Sequence, residues 1–323
     1  MNTRTTINEC TNISKNMKIF ITGAGGQLGQ AVVREAIERG CTAIGSIHAE
    51  KNKIEFNFCD KRQDCEYVQM DITDRAVTEQ VITAAKPDVV IHCAAWTAVD
   101  MAEDQEVYET VQKVNVAGTA NVASACKMTG CKMIYISTDY VFSGQGQEPW
   151  KADCKNFNPL NVYGQTKLEG ELEVSRLLEK YFIVRIAWVF GEGENNFVKT
   201  MLELGKTHDI LKVVSDQVGT PAYTRDLARL LVDMSETDEY GCYHATNEGG
   251  YISWYDFACE IFRQAGYATK VVPVTTEDYG QSKAKRPLNS RLDKSKLPEH
   301  GFVPLPDWKD ALARYLHNLN INS

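Results

Sequence analysis

The sequence predicts an α/β fold, a doubly wound parallel sheet with a smaller lobe at its C-terminal end. Three observations predict it: short apolar runs alternate with stretches of helical periodicity, a glycine-rich turn joins the first run to the first helix, and the pattern loosens beyond Ala187. The first run, Met17 to Thr22, breaks into glycine at Gly23. Leu28, Val32, Val33, Ala36 and Ile37 then recur at helical spacing until Gly40 stops them. Cys41 to Ile47 reads as a second strand, residues 73–86 as a helix closed before Pro87, and Asp88 to Cys93 as a buried strand. A helix from Gln105 to Met128 leads into the strand Lys132–Ser137, and a helix over Tyr163–Leu178 into the strand Tyr181–Ile186. Such alternation needs right-handed crossovers and a sheet covered on both faces. Further helical stretches near 195–206, 223–235, 253–265 and 307–319 are separated by loops.

Composition narrows the function classes. The chain has 323 residues, more than the ~250–300 at which one core stops growing, so a second lobe is expected. Its net charge of −8 argues against nucleic acid as partner, because phosphate binding wants a basic face. No apolar run reaches the ~18 residues of a membrane span. The 10 cysteines include no CxxC; Cys41, Cys93, Cys131 and Cys242 sit in or beside strand-like runs, and Cys59 and Cys65 flank a charged stretch with no His to complete a zinc pattern. Reduced thiols in a cytoplasmic protein are expected. Residues 1–16 lack a signal-like apolar stretch and read as a disordered leader.

Gly23-Ala24-Gly25-Gly26-Gln27-Leu28-Gly29 is GxxGxxG between the first strand and its helix. Gly23 permits the tight turn, Gly26 lets a pyrophosphate approach the backbone, and Gly29 packs helix on strand. The helix start offers free N–H groups and a positive dipole end to phosphates. The expected organisation is thus a dinucleotide-binding, Rossmann-like domain over 17–186 and, over 187–323, mainly a substrate-binding lobe with segments returning to the sheet. An acidic residue ~20 positions on usually binds the adenosine ribose. Here the second strand ends Ser46-Ile47-His48, with no carboxylate before Glu50 and no Arg for a 2′-phosphate, so NADH and NADPH both remain open. Asp71, ahead of a helix, serves either the adenine or the helix as N-cap.

Tyr163-Gly164-Gln165-Thr166-Lys167 places a phenol and an ammonium four residues apart on one helix face. A nearby cation stabilises phenolate, so Lys167 is expected to lower the Tyr163 pKa and let it deliver a proton to a carbonyl oxygen. The same spacing recurs at Tyr279 and Lys283, in a polar loop; position selects the first pair, which opens a helix near a strand's carboxyl end, where ligands of such sheets bind. Ser137-Thr138-Asp139-Tyr140-Val141-Phe142 stands at that strand end, and its hydroxyls suit a substrate carbonyl or turn formation.

These segments resemble the extended short-chain dehydrogenase/reductases. His92–Asp100, Asn158–Gly164, Arg185–Phe190, Asn195–Phe197, Ser215–Pro221 and Arg286–Arg291 extend the likeness from about residue 17 to about 315. The resemblance implies reduction of the 4-keto group of dTDP-4-dehydro-L-rhamnose to dTDP-L-rhamnose with NADPH or NADH. By position it implies that Gly26, Gln27 and Leu28 bind the pyrophosphate, and that Asp71, Ile72, Ala94, Ala95 and Thr97 line the adenosine and ribose path. Lys167 would hold the nicotinamide ribose, Thr138, Asp139 and Trp188 would meet the sugar, and Asn196 and Arg286 would line its cleft. Trp188 also suits a core aromatic, and Arg286 and Arg291 solvated charges. Some relatives bind magnesium through a carboxylate early in the first helix; this chain has Gln30-Ala31-Val32, so no required metal is expected. Dehydratases of the family place a Glu where Tyr140 stands. A nucleotide-sugar 4-epimerase and a non-catalytic regulator like the methionine adenosyltransferase β subunit are the rival readings. The partner expected is a nucleotide sugar; a homodimer is the assembly considered, and no residue pattern fixes it.

Overall fold

The computed structural model describes residues 17–48, 65–280 and 282–319. The expected leader at 1–16, Cys59 and Glu50 lie outside the described residues. In chain order the first half contains β1 (Lys18–Thr22), α1 (Gln27–Glu38), β2 (Thr42–Ile47), β3 (Cys65–Gln69), α2 (Arg75–Ala85), β4 (Val89–His92), α3 (Gln105–Gln112), α4 (Thr119–Thr129), β5 (Lys132–Thr138), α5 (Val162–Leu177) and β6 (Tyr181–Ile186). A π-helical turn, Lys113–Gly118, joins α3 to α4, so the expected helix from Gln105 is continuous with one widened turn.

All strands of the main sheet run parallel. Their order is Gly241–His244, β6, β5, β4, β1, β2, β3, the strand from the second half closing the β6 edge. The central strands β1, β4, β5 and β6 are mainly apolar because both faces of the sheet are covered there. On one side Ile19 and Ile21 of β1 pack with Val32 and Val33 of α1 and with Leu227 and Leu231 of the helix Thr224–Ser235. On the other, Phe20 and Val90 pack with Ile82 of α2 and Val122 and Ala123 of α4. Each such fully buried side chain contributes roughly 1.5–3 kcal/mol.

The third strand, β3, was not expected from the sequence. It lies at the sheet edge with only Cys65 buried, so its residues carry no apolar signature. Beyond β6 the helices Phe197–Gly205, Trp254–Ala265 and Trp308–Asn318 enclose a separate aromatic cluster that includes Phe190, Tyr223, Phe257, Trp308 and Tyr315. Two-stranded pairs, such as Ile210–Val214 with Lys270–Val274, connect them. No helix among the described residues is long and apolar enough to cross a membrane. Their cysteines are free, and Cys41, Cys65, Cys126 and Cys131 are buried.

Candidate active site

The sheet order reverses at β1, whose neighbours are β2 and β4, and a cleft of about 1020 Å³ opens there along the carboxyl ends of the strands. Its wall contains Gly23, Gly26, Gln27, Leu28 and Gly29, then Asp71, Ile72, Ala94, Ala95 and Thr97, then Thr138, Asp139, Tyr163, Lys167, Trp188, Asn196 and Arg286. Every residue singled out from the sequence for cofactor, chemistry or sugar therefore reaches one continuous surface.

Gly23 has φ +65°, and a Cβ there would lie 2.7 Å from the Ala94 backbone nitrogen. A Cβ on Gly29 would sit 2.1 Å from the Gly23 carbonyl oxygen. Only glycine lets α1 close so tightly on the end of β1. Gly26 supplies no side-chain cap to α1, and the first turn holds no acidic residue, so the helix start is left uncapped at the cleft, with the Glu194 carboxylate beside Gly26. These features fit a dinucleotide pyrophosphate. Asp71 is not the cap of α2; Asp74 is, accepting from Val77 N. Asp71 instead accepts from the Thr73 backbone N–H and hydroxyl, at 2.9 and 2.8 Å, and pairs with His48 at 3.3 Å. Burial opposes ionisation of Asp71, yet Thr73 and His48 together hold its pKa below the ordinary value.

Around Tyr163 the structure corrects one expectation. Burial, reinforced by the nearby Asp139 carboxylate, pushes the phenol well above its ordinary pKa, while the neighbouring Thr138 hydroxyl opposes the rise. Lys167 packs against a different ring. The Lys167 ammonium instead lies 4.1 Å from the centroid of the Tyr135 ring, and burial lowers its pKa to about 7 against the opposing pull of Glu171 and Cys93. The lysine side chain turns towards the sheet, over the Tyr135 ring of β5. Thr138 donates to Asp139 Oδ1 at 3.0 Å and accepts from Tyr140 N at 3.2 Å. Asp139 is 2% exposed, and burial raises its pKa to about 6.

Two buried networks fix these groups. In the first, Ala94 N donates to Thr22 Oγ1, which contacts His92 Nδ1 at 2.6 Å; His92 Nε2 contacts Thr119 Oγ1, which donates to the Asn115 carbonyl. The chain closes only if Nε2 carries the proton, so His92 is neutral, in keeping with burial lowering its pKa to about 3. Asn115, on the π turn, accepts from Trp96 N and donates to Thr166 Oγ1, tying the loop after β4 to α5. In the second, Arg185 forms a bidentate pair with Glu171 at 2.8 and 2.7 Å, and Ser137 donates to the same carboxylate at 2.5 Å. β5, β6 and α5 are thereby joined directly beneath Thr138 and Lys167.

The sugar-side residues divide. Trp188 has φ +51°, a left-handed backbone that is strained for a tryptophan, and stacks on Trp254 with centroids 3.8 Å apart. It forms the cleft wall rather than the core. Asn196 reaches the cleft with its side chain engaged as the cap of Phe197–Gly205 and bonded to Gly191 O and Tyr315 OH. Arg286 pairs with Asp100 at 2.5 Å and donates to Tyr140 OH at 3.3 Å. Ser46, His48, Tyr140, Glu194 and Trp254 also line the cleft. The sequence carries a signal for Tyr140, inside the STDYVF segment, and none for Trp254, which arrives from a distant helix. Among the described residues no group of three or more His, Cys, Asp or Glu could hold a metal ion.

A glycine-loop cleft with a tyrosine and a threonine at its middle is the architecture of a nicotinamide-dependent oxidoreductase of the short-chain dehydrogenase type. The chain belongs to the family described as RmlD substrate binding domain, which matches residues 17–321. It is 38% identical over 308 residues to a dTDP-4-dehydrorhamnose reductase of Aggregatibacter actinomycetemcomitans, covering 91% of this chain and 97% of that one. A dTDP-4-dehydrorhamnose reductase of Clostridium acetobutylicum superposes with a TM-score of 0.81 at 42% identity, covering 94% of this chain and 100% of the other. The enzyme of that name from Bacillus anthracis, solved in complex with NADP, gives 0.80 at 36% identity over 94% of this chain and 99% of its own.

Proposed function

We propose that this protein reduces the 4-keto group of dTDP-4-dehydro-L-rhamnose to the hydroxyl of dTDP-L-rhamnose, using NADPH or NADH. The observation that carries the reading is the meeting of Thr138, Tyr163 and Lys167 on the surface that continues from the glycine loop. The relatives named above support the substrate, and the NADP complex of the Bacillus anthracis enzyme supports NADPH.

The nicotinamide, when bound, supplies hydride to C4. Gly23, Gly26, Gln27 and Leu28 would hold the pyrophosphate, Asp71, Ile72, Ala94, Ala95 and Thr97 the adenosine side, and Lys167 the nicotinamide ribose. Tyr163 stays protonated across the working pH range because of its burial, which makes it a proton donor rather than a resting phenolate. As charge develops on the keto oxygen, Tyr163 transfers its proton and Thr138 orients the oxygen. Trp188 and Trp254 form the apolar wall against which the sugar packs, and the lobe over 187–323 would carry the nucleotide-sugar side of the cleft.

Two rival readings lose ground on particular residues. Tyr140, whose hydroxyl accepts from Arg286, cannot act as the carboxylic acid a dehydratase needs. A non-catalytic regulator has no use for a hydroxyl, phenol and ammonium assembled in one cleft. The test is cofactor absorbance with dTDP-4-dehydro-L-rhamnose and each reduced cofactor in turn: stoichiometric oxidation is expected, and product formed without net oxidation would mark an epimerase.

A further inference from the structure

Beyond β6 the cleft wall is aromatic. Trp188 follows Ile186 and Ala187 off the end of β6, and Ile186 pairs across to Thr138 of β5, so the indole comes off the sheet beside Thr138. Its φ of +51° is one that tryptophan rarely adopts. Trp254 stacks on it with centroids 3.8 Å apart and 16° between the planes, and Phe197 packs against the Trp254 ring at 4.5 Å. Gly219 lets the indole approach so closely that a Cβ there would meet it at 3.1 Å. The strand pair that brings Gly219 also delivers Trp254: Ile252 and Ser253 pair with Gly219 and Val218, and Ser253 and Asp256 form a capping box at the start of the helix Trp254–Ala265. On the lobe side of this shelf the polar side chains are committed elsewhere. Asn196 bonds Gly191 O, Tyr315 OH and Lys199 N, and the Glu194 carboxylate lies beside Gly26. A hydroxyl pressed against the two indoles would lose water without gaining a partner.

We infer that Trp254 is a specificity-determining residue: by positioning Trp188 it builds a shelf that takes the methyl group of a 6-deoxy sugar and disfavours a hydroxymethyl group. The inference rests on the reductase reading and names the part of that substrate which this wall selects. The methyl on C5 is the one substituent of the sugar ring that carries no oxygen, and C5 adjoins the C4 carbon that is reduced. A keto oxygen oriented by Thr138 therefore leaves the methyl close to the wall that begins at Trp188. The other use of a tryptophan beside a sugar is stacking on the C–H face of the ring, which would be indifferent to a hydroxyl on C6.

The ligand dTDP-L-mannose separates the two, because it differs from dTDP-L-rhamnose solely by that hydroxyl. Each is titrated by calorimetry into NADPH-loaded enzyme, with which neither alcohol can react. Wild type is expected to bind dTDP-L-rhamnose about 10- to 100-fold more tightly. In Trp254→Ala this ratio should collapse to within about threefold, whatever affinity both ligands lose in common, and Trp254→Phe, which keeps a ring, should retain much of it. The stacked indoles should also give wild type an exciton couplet in circular dichroism that Trp254→Phe lacks. Near-equal wild-type affinities would leave the wall a plain stacking surface and overturn the inference, as would a wild-type ratio preserved in Trp254→Ala. Should Trp254→Ala fail to fold, the wild-type ratio and the couplet decide, and a couplet unchanged in Trp254→Phe refutes the positioning role. Binding of neither ligand, with no NADPH oxidation on adding dTDP-4-dehydro-L-rhamnose, would instead refute the reductase reading, and the shelf with it.

Discussion

Tyr163 and Lys167 show how one helix turn carries two different electrostatic fates. The phenol is raised by burial and by Asp139, so it is a donor that must be relieved of its proton by the developing alkoxide. Replacing it with Phe removes the donor while keeping the ring, and kcat should fall by about 10²–10⁴ in a cofactor-oxidation assay with the fold intact by circular dichroism. The ammonium is lowered to about 7 by burial, so its charge is lost as pH rises through that value. Its folded pKa lies below the unfolded value, and between the two the unfolded chain binds more protons. Stability from this group therefore increases as pH rises from about 7 towards the ordinary lysine range. Lys167→Met should raise the melting temperature most at pH 6, with the gain shrinking as pH climbs, while activity falls. A gain that grows with pH in differential scanning fluorimetry would contradict the assignment.

At the scale of elements, the site depends on close approaches that side chains would block. Gly23→Ala must place a Cβ 2.7 Å from the Ala94 nitrogen in a left-handed backbone, which costs about 1–3 kcal/mol and opens the cofactor loop. Titration of NADPH by tryptophan fluorescence should show weaker binding in this variant, whereas Gly40→Ala, with nothing within 4 Å, should leave affinity unchanged. The π turn that aims Asn115 at Trp96 and Thr166 is a second such device; π turns often mark functional positions. The buried strands were legible in the sequence because both faces demand apolar residues, and the glycine loop because few residues fit its backbone. β3 was not legible: an edge strand reading Cys-Glu-Tyr-Val-Gln has one wall to bury and no run to announce it. The direction of Lys167 was also hidden, since helical spacing fixes where a Cβ stands and not where a flexible stem turns. Arg286 read as either cleft or surface, and only the fold shows it bonded to Asp100 and Tyr140.

Across the whole molecule, the sheet acts as a platform whose carboxyl ends are locked to each other from beneath. The Arg185–Glu171 pair is enclosed almost completely, with side-chain exposures of 2% and 4%, and Arg185 also donates to Ala152 O. Removing one partner strands the other charge, so Glu171→Gln should cost about 3–5 kcal/mol in urea unfolding, and Glu171→Gln with Arg185→Met should recover part of that loss. The strand Gly241–His244 completes the sheet beside β6, so the chain's second half braces the same strand end that presents Trp188. Both halves thus converge on one reaction surface, and its chemistry can be read directly. The decisive measurement is the rate of NADPH oxidation on mixing wild type or Tyr163→Phe with dTDP-4-dehydro-L-rhamnose. Wild type should consume one NADPH for each sugar reduced and the variant should lose nearly all of that rate; near-normal turnover by the variant would contradict the account.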